Sequence, residues 1–190
     1  QEQKKIRSDT SLRLIRFFPS ACLSAGFAVG WTFSEVKGYT LIVPQRSEIW
    51  RTDCSPATSK NLNLTIQEGD SLSKELVVGL SIVADVDPKV SGFLNRQDQK
   101  FRAKVSFAPD VGNISNIEGA TALAYAYQIK QEIRKLVDKF GCEKIHLFYA
   151  GPLALAVFIG WQFNAMHALV QCYEEQIEGF YIPSCLLDAP

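Results

Sequence analysis

The segment EIWRTD places an aromatic ring beside a guanidinium in a polar stretch of the chain. Trp50 and Arg51 are adjacent, and Arg46 precedes them by a few residues. An indole offers a flat face on which a planar group stacks, and a guanidinium binds phosphate through paired hydrogen bonds. This combination is typical of nucleobase recognition. A tryptophan that anchors the loop into the core is the alternative, and the segment alone leaves both open.

The stretch IHLFYAGPLALAVFIGWQF contains a second candidate site at its Gly-Pro joint. It predicts a buried strand that ends near Tyr149, a short turn and an apolar helix. Backbone N–H groups at a helix start attract phosphate or carbonyl oxygen, and Pro152 has no N–H. Leu153 and Ala154 would therefore supply the donors, and Tyr149 a second aromatic face. A tight turn that only leads into a core helix is the alternative.

The residue types that support catalysis do not occur in useful combinations. The sequence lacks a G-x-S-x-G nucleophile elbow, a Walker loop and a G-x-G-x-x-G fingerprint. Neither His146 nor His167 has a carboxylate or cysteine at a suggestive spacing, and His146 lies in a predicted buried strand, where a hydrogen-bonded core role is commoner. The five cysteines are scattered without a C-x-x-C pair, which favours buried reduced thiols over zinc ligands. We therefore expect no catalytic residue, no metal and no cofactor.

Charge and length narrow the class of ligand. The 190 residues include 20 basic and 20 acidic side chains, so the formal net charge is zero. A surface for a long nucleic acid needs many cations, whereas a small anion needs only a few directed groups. With 47% hydrophobic residues, the chain can bury one sizeable core or two small halves packed together.

The uncharged stretch from Ile145 to Tyr173 does not predict a membrane span. Gly151-Pro152 interrupts it, and the apolar helix over 153–163 covers roughly 16 Å at about 1.5 Å per residue, around half of a bilayer core. We expect a buried helix, no membrane partner and a cytoplasmic location.

Hydrophobic periodicity predicts alternating strands and helices. Helices are expected from Pro88 onward with Asp87 as N-cap, and over 116–140, opened by a Ser115/Glu118 capping box and ended by Gly141. A hairpin turn is expected at Lys37-Gly38, and a polar loop over 45–61. Strands are expected over 22–33, 39–44, 62–70, 76–83, 101–109, 145–149, 168–176 and 180–187.

Two units share one plan and suggest an α/β fold. VVGLSIVADVDP and KIHLFYAGPLAL each give a hydrophobic strand, a short loop of small residues and a helix opened by proline. Ligands of open α/β sheets bind beyond the carboxyl ends of the strands. We predict two related halves, 12–100 and 101–190, whose loops face one cleft. Because the chain starts at Gln1 without an initiator Met, residues 1–11 are expected to be the remnant of a linker from an upstream domain.

Several motifs resemble, in their order and spacing, those of the SAVED family. They are WRT (50–52), GLSIVADVDPKVSGFL (79–94), the long helix over 116–140, IHLFYAGPLALAVFIG and LVQCYEEQIEGFYIPS. The resemblance implies two fused CARF-type, Rossmann-like halves in one compact domain. It also implies a sensor of bacterial antiviral CBASS effectors that binds a cyclic di- or trinucleotide. Ligand binding in that family drives self-association and activates a fused effector. Here we expect that effector to be an amino-terminal HNH-type DNA endonuclease.

The resemblance also assigns ligand-binding roles to particular positions. The Trp50-Arg51-Thr52 loop would stack on a base and contact a phosphate. Arg46 and Arg51 would neutralise the phosphates, or a neighbouring subunit would do so. Asp85 would line the first strand-loop-helix unit. The second unit would contribute Tyr149, Ala150, Gly151, Pro152 and Leu153.

Two other classes of function remain open at the sequence level. One is a Rossmann-type enzyme that uses a nucleotide cofactor, although the glycine fingerprint and an acid/base pair are missing. The other is a protein-interaction domain whose apolar surface docks a partner.

Overall fold

The computed structural model describes residues 13–18, 20–58, 61–110 and 117–189, and it shows a mixed α/β fold with two sheets. The expected linker over 1–11 lies outside these residues. The helices are α1 (Leu23–Thr32), α2 (Asp87–Arg96), α3 (Gly119–Phe140) and α4 (Leu153–Gln162). The strands are β1 (Leu14–Arg16), β2 (Thr40–Gln45), β3 (Glu48–Arg51), β4 (Leu62–Glu68), β5 (Glu75–Ser81), β6 (Ala103–Pro109), β7 (Lys144–Ala150), β8 (Ala168–Ile177) and β9 (Phe180–Ala189).

The larger sheet has six strands in the order β4-β6-β5-β7-β8-β9. Its four inner strands are parallel, and the two edge strands run antiparallel to their neighbours. Helices connect successive parallel strands, as in other α/β folds, so the predicted fold class is confirmed. The strands of 12–100 and 101–190 interleave, because β5 lies between β6 and β7. The division at residue 100 stays a prediction.

Residues 22–33 form helix α1, so the predicted strand and the hairpin turn after it are wrong. Gly26 and Gly30 lie one helical turn apart and face α4. A Cβ at Gly30 would lie 2.0 Å from the Val157 carbonyl oxygen, and one at Gly160 would lie 2.1 Å from that of Phe27. The glycines mark a close approach of the backbones of these two helices.

Helix α4 is the buried apolar helix that the sequence predicts. It packs against α1 and α3, and its residues from Ala154 to Gln162 are buried. Trp161 lies in the core, where its indole Nε1 donates a hydrogen bond to the Tyr39 carbonyl oxygen at 2.7 Å. Among the helices of the described residues, none has the length and apolar character needed to cross a membrane.

The smaller sheet has the order β1-β2-β3 and contains a strand where the sequence predicts a loop. Strand β3 pairs antiparallel with β2 across a turn at Arg46-Ser47, so that Trp50 lies opposite Val43. The segment QRSEIWR therefore forms the tip and the second strand of a hairpin rather than an irregular loop. Lys37-Gly38 closes a short 3₁₀ turn, where Gly38 has a φ of 75°.

Helix α3 begins later than predicted and ends where predicted. Its N-cap is Glu118, whose side chain forms no capping hydrogen bond, and Ser115 lies outside the described residues. Gly141 has a φ of 63°, the left-handed conformation that ends many helices. At the start of α2 the N-cap is Val86, so Asp87 is the first helical residue rather than the cap.

Candidate functional site

The two strand-loop-helix units meet at the carboxyl edge of the larger sheet. Strands β5 and β7 are adjacent and parallel, so the joints that follow them lie side by side. The backbone N–H groups of Ile82 and Val83 donate hydrogen bonds to the Ala150 carbonyl oxygen at 3.0 and 3.1 Å. The joints converge as predicted, but they contact each other directly. The shared cleft of the two units stays a prediction.

A cavity of about 310 Å³ lies to one side of the second joint. We call it the hairpin cavity, because the tip of the β2–β3 hairpin forms one of its walls. The residue before α4 and the residues before α3 form the remainder. Its lining residues are Gln45, Arg46, Ser47, Glu48, Trp50, Ile117, Glu118 and Pro152. Three predicted site residues, Arg46, Trp50 and Pro152, are thus brought together.

Trp50 forms the floor of the hairpin cavity and has only 3% of its surface exposed. Its ring lies 6.0 Å from the Phe158 ring, and Gly119 is close enough that a Cβ there would lie 3.1 Å from the indole. The indole Nε1 donates a hydrogen bond to Glu48 Oε2 at 3.1 Å. Trp50 therefore anchors the hairpin in the core and also lines the cavity, and its stacking on a base stays a prediction.

Arg46 occupies the tip of the hairpin with a φ of 55°, in the left-handed region that favours glycine. Arg51, in contrast, points away from the cavity, where its guanidinium donates two hydrogen bonds of 2.8 Å to Asp53. These hydrogen bonds lower the pKa of Asp53. Thr52 is buried and receives a hydrogen bond from the Leu41 N–H at 2.9 Å. Arg51 and Thr52 do not line the cavity.

Asp85 closes the first joint instead of facing the cavity. Its Oδ1 accepts hydrogen bonds from the Ser81 hydroxyl at 3.3 Å and from the Asp87 N–H at 2.9 Å. The Ser81 hydroxyl accepts a further hydrogen bond from the Val86 N–H at 3.0 Å. This network fixes the turn that leads from β5 into α2.

The second joint is held together by its own aromatic residue. Tyr149 is buried, and its hydroxyl donates a hydrogen bond to the Pro152 carbonyl oxygen at 2.7 Å. Burial raises the pKa of Tyr149 well above its ordinary value, so it stays a neutral donor. A Cβ at Gly151 would lie 2.2 Å from this hydroxyl, which explains the glycine. Tyr149 thus supports the joint and offers no free face for stacking.

One of the two expected donors at the start of α4 is already bonded. The Ala154 N–H donates to the Gln45 side-chain oxygen at 3.3 Å, which ties the hairpin to the helix. Leu153 and Ala150 are partly buried and, like Gly151, do not line the cavity. The cavity therefore receives the second joint only through Pro152.

Sequence reasoning missed most of the polar residues of the hairpin cavity. Gln45, Ser47 and Glu48 lie in the segment predicted as a polar loop, and Glu118 was interpreted only as part of a capping box. The polar run QRSE between the apolar runs LIVP and IW is a hairpin signal that would have placed Arg46 and Ser47 at its tip. The approach of Glu118 to this tip has no local signal, because it is a long-range contact.

A larger depression of about 630 Å³ lies at the opposite edge of the sheet. Its lining includes Lys74, Lys100 and Lys144 together with Glu75 and Glu143. It lies where the parallel strands β5 and β7 begin, whereas α/β sheets bind ligands beyond the carboxyl ends of their strands. We therefore regard the hairpin cavity as the candidate site.

The buried histidine and the thiols complete the inventory of reactive groups. His146 is buried and hydrogen-bonded, with the Tyr173 hydroxyl 2.9 Å from its Nδ1, so the predicted core role is confirmed. All five cysteines are free, and only Cys142 and Cys172 are buried. Within the described ranges, no group of three or more His, Cys, Asp or Glu side chains is arranged to hold a metal ion.

Comparison with solved structures shows the same fold in a group of nucleotide receptors. The chain is similar to the Acinetobacter baumannii Cap4 SAVED/CARF-domain containing receptor with the cyclic trinucleotide 2′3′3′-cAAA, with a TM-score of 0.82 and 17% identity over 97% of this chain and 40% of the receptor. The form with 3′3′3′-cAAA gives a TM-score of 0.80 at 17% identity, over 96% and 42% of the two chains.

The Moraxella osloensis Cap4 receptor gives a TM-score of 0.68 at 17% identity, over 98% of this chain and 39% of the receptor. The chain thus spans well under half the length of these receptors. No curated protein sequence matches it.

A family model decides the membership. The model of the SAVED domain, the SMODS-associated and fused to various effectors sensor domain, matches residues 1–187. This range includes both strand-loop-helix units and every residue of the hairpin cavity. The chain therefore belongs to the SAVED family of sensor domains.

Proposed function

We propose that this domain binds a cyclic di- or trinucleotide at the hairpin cavity. The observation that carries the proposal is the meeting of two helix starts and Arg46 at one cavity. The N-cap of α3, Glu118, and the N-cap of α4, Pro152, both line it. Helix N-termini carry partial positive charge and favour phosphate, so the site can attract an anion although the net charge of the chain is zero.

The backbone of Arg46 supports a role for its side chain. A non-glycine residue with a φ of 55° costs about 1–2 kcal/mol relative to glycine. Strained residues of this kind concentrate at ligand sites, where the side chain is needed. A guanidinium at the cavity entrance suits a bridging phosphate of the ring.

The volume of the cavity supports the accompanying proposal of self-association. Sites for drug-sized ligands usually measure about 300–1,000 Å³. At about 310 Å³ the hairpin cavity can take one part of a cyclic oligonucleotide. The remainder would lie on the surface, where a second copy can cover it. We propose that this shared contact drives assembly and activates an amino-terminal effector, an HNH-type endonuclease, in cytoplasmic antiviral defence. The domain itself would be non-catalytic.

The first experiment measures binding by isothermal titration calorimetry with a panel of cyclic di- and trinucleotides that includes 2′3′3′-cAAA and 3′3′3′-cAAA. The decisive variant is Arg46→Gly. Glycine accepts the left-handed backbone of the turn, and the melting temperature checks that the variant is folded. The loss of a charge-assisted hydrogen bond should weaken binding about tenfold or more.

Two control variants locate the site. Arg51→Gln removes an exposed guanidinium on the same hairpin outside the cavity, and Lys144→Gln removes a cation from the larger depression. Both should leave the affinity unchanged. A loss with Lys144→Gln instead of Arg46→Gly would move the site to the opposite edge of the sheet. If the ligands do not bind but the chain self-associates, it is a protein-interaction domain instead.

A further inference from the structure

The hairpin cavity has an unexpected charge for a site that binds only phosphate. Glu48 and Glu118 both line it, next to Arg46. Carboxylates repel phosphate, so these two side chains would weaken an anion site unless they contact another part of the ligand. A cyclic nucleotide has such a part, because its bases carry N–H donors.

Glu118 is placed to accept a hydrogen bond from a ligand. It is the N-cap of α3, with φ −87° and ψ 158°, yet its side chain forms no capping hydrogen bond with the helix that it begins. Ser, Thr, Asp and Asn are the N-cap residues whose side chains accept a hydrogen bond from the first turn, and the longer Glu118 side chain does not do so here. Glu118 is exposed and lines the cavity, so a bound ligand can reach its side chain.

Glu48, on the other wall of the cavity, is a second carboxylate that can accept a hydrogen bond from a ligand. Its Oε2 accepts a hydrogen bond from the Trp50 Nε1 at 3.1 Å, which fixes the carboxylate against the buried indole. The floor of Trp50, Ile117 and Pro152 is apolar and suits the body of a base. The cavity therefore combines an apolar floor with acceptors at its rim.

An ionised carboxylate accepts hydrogen bonds and cannot donate them. Adenine and cytosine present an exocyclic amino group, and guanine presents an amino group beside a ring N–H, which matches both oxygens of one carboxylate. Uracil presents one ring N–H between two carbonyl oxygens, which a carboxylate repels. We infer that Glu118, assisted by Glu48, binds the amino edge of a nucleobase, so that the site selects amino-bearing bases and rejects uracil. This inference rests on the proposed function.

The test measures the ratio of affinities for matched ligands. Calorimetry compares 3′3′3′-cAAA with the all-uracil cyclic trinucleotide of the same linkage, and the two corresponding cyclic dinucleotides. The unmodified domain should prefer the adenine ligand by about tenfold or more. In Glu118→Gln the amide can donate to a uracil carbonyl, so the preference should fall by a similar factor.

Glu143→Gln is the matched control. It makes the same change of charge at the opposite edge of the sheet, where Glu143 pairs with Lys74. This variant should keep the preference of the unmodified domain. Melting temperatures of both variants check that each is folded.

The outcomes separate the inference from the proposal that it depends on. The inference is overturned if the unmodified domain binds cyclic nucleotides without preferring adenine, or if the preference survives in Glu118→Gln. Either result leaves the binding proposal intact. If no cyclic di- or trinucleotide binds, the proposed function itself fails. A preference that falls equally in Glu143→Gln overturns the inference, because it would reflect net charge alone.

Discussion

The two faces of the six-stranded sheet differ in chemistry. One face, which we call the aliphatic face, is covered by α1, α3 and α4 and presents buried side chains such as Val78, Val105 and Leu147. The other, which we call the polar face, is covered by α2. It carries aromatic rings, including Phe148 and Tyr173, and also buries Lys104 and His146.

The difference shows that the two faces are stabilised in different ways. On the aliphatic face, close packing of α1 against α4 leaves no space for a side chain at Gly30. On the polar face, every buried charge needs a specific partner, and Lys104 finds one in Asp87 at 2.9 Å. The hairpin cavity lies on the aliphatic side, where Trp50 packs on Phe158 of α4. A ligand there would meet a rigid apolar floor, which favours a site formed before binding.

The packing of the aliphatic face can be tested at Gly30. In Gly30→Ala a methyl group would lie 2.0 Å from the Val157 carbonyl oxygen, so the two helices must move apart. Overpacking of this kind costs about 1–3 kcal/mol and more when backbone is displaced. We expect the free energy of unfolding to fall by about 3 kcal/mol or more, as measured by urea denaturation.

Gly92→Ala is the matched control for this substitution. Gly92 lies in α2, and the nearest atom to an added Cβ is the flexible end of Arg96 at 3.4 Å. Alanine should be neutral there or stabilise the helix by up to about 1 kcal/mol. Equal losses for the two variants would contradict the view that α1 and α4 form the tightest contact.

The same helix pair shows where sequence reasoning succeeds and where it fails. Helices α1 and α4 are both uncharged, so neither has an amphipathic period to identify it. Helix α4 could be predicted because Gly151-Pro152 marks its start. Helix α1 has no such signal, since its N-cap, Cys22, forms no capping hydrogen bond. The spacing of Gly26 and Gly30 was the one clue, and it indicates a helix only once a partner helix is known.

The second prediction concerns the buried charge of the polar face. Lys104 contacts Asp87 at 2.9 Å and the Ser91 hydroxyl at 2.7 Å, and the Ser106 hydroxyl donates to the same carboxylate. Lys104→Met keeps the length of the side chain and leaves Asp87 without its cation. Because the Asp87 side chain is 38% exposed, water can replace part of the interaction. We expect a loss of about 2 kcal/mol in urea unfolding.

Lys100→Met provides the comparison for Lys104. It breaks the ion pair between Lys100 and Asp98. The Lys100 side chain is 65% exposed and that of Asp98 is 87% exposed. Exposed pairs contribute about 0–1 kcal/mol, so this variant should unfold almost like the parent. A loss as large as that of Lys104→Met would show that burial does not distinguish the two pairs.

The candidate site was predictable only in part, because its residues come from segments that are far apart in the sequence. Trp50 and Arg46 belong to one short hairpin, and their residue types indicated ligand binding as one of two interpretations. Glu118 approaches Trp50 only because β3 packs against the start of α3, and no local pattern encodes that contact. Asp85 and Tyr149 were selected for lying at strand ends. Both have hydrogen bonds that hold their own joints, which sequence cannot distinguish from bonds offered to a ligand.

The smallest expected effect tests whether the polar face makes stability depend on pH. His146 is 2% exposed and lies near Glu75, with 3.2 Å between Nε2 and the carboxylate, and near Tyr173 and Gln99. Burial lowers its pKa below the ordinary value, although Glu75 acts in the opposite direction. The unfolded chain therefore takes up the proton first as the pH falls. Stability should be constant above about pH 6.5 and decrease below it, by no more than about 1.4 kcal/mol per pH unit for one proton.

His146→Gln removes the group that binds this proton and should flatten the dependence of stability on pH between about pH 7.5 and 5.5. His167 is present in both proteins, so its contribution cancels in the difference. Urea unfolding at closely spaced pH values gives the two curves. Parallel curves would mean that His146 keeps its ordinary affinity for the proton. The polar face would then tolerate the buried charge of a protonated His146 at the centre of the sheet, as it tolerates that of Lys104. If the two stability curves instead approach each other as the pH falls, the polar face tolerates a buried charge only at Lys104, which a carboxylate and two hydroxyls surround.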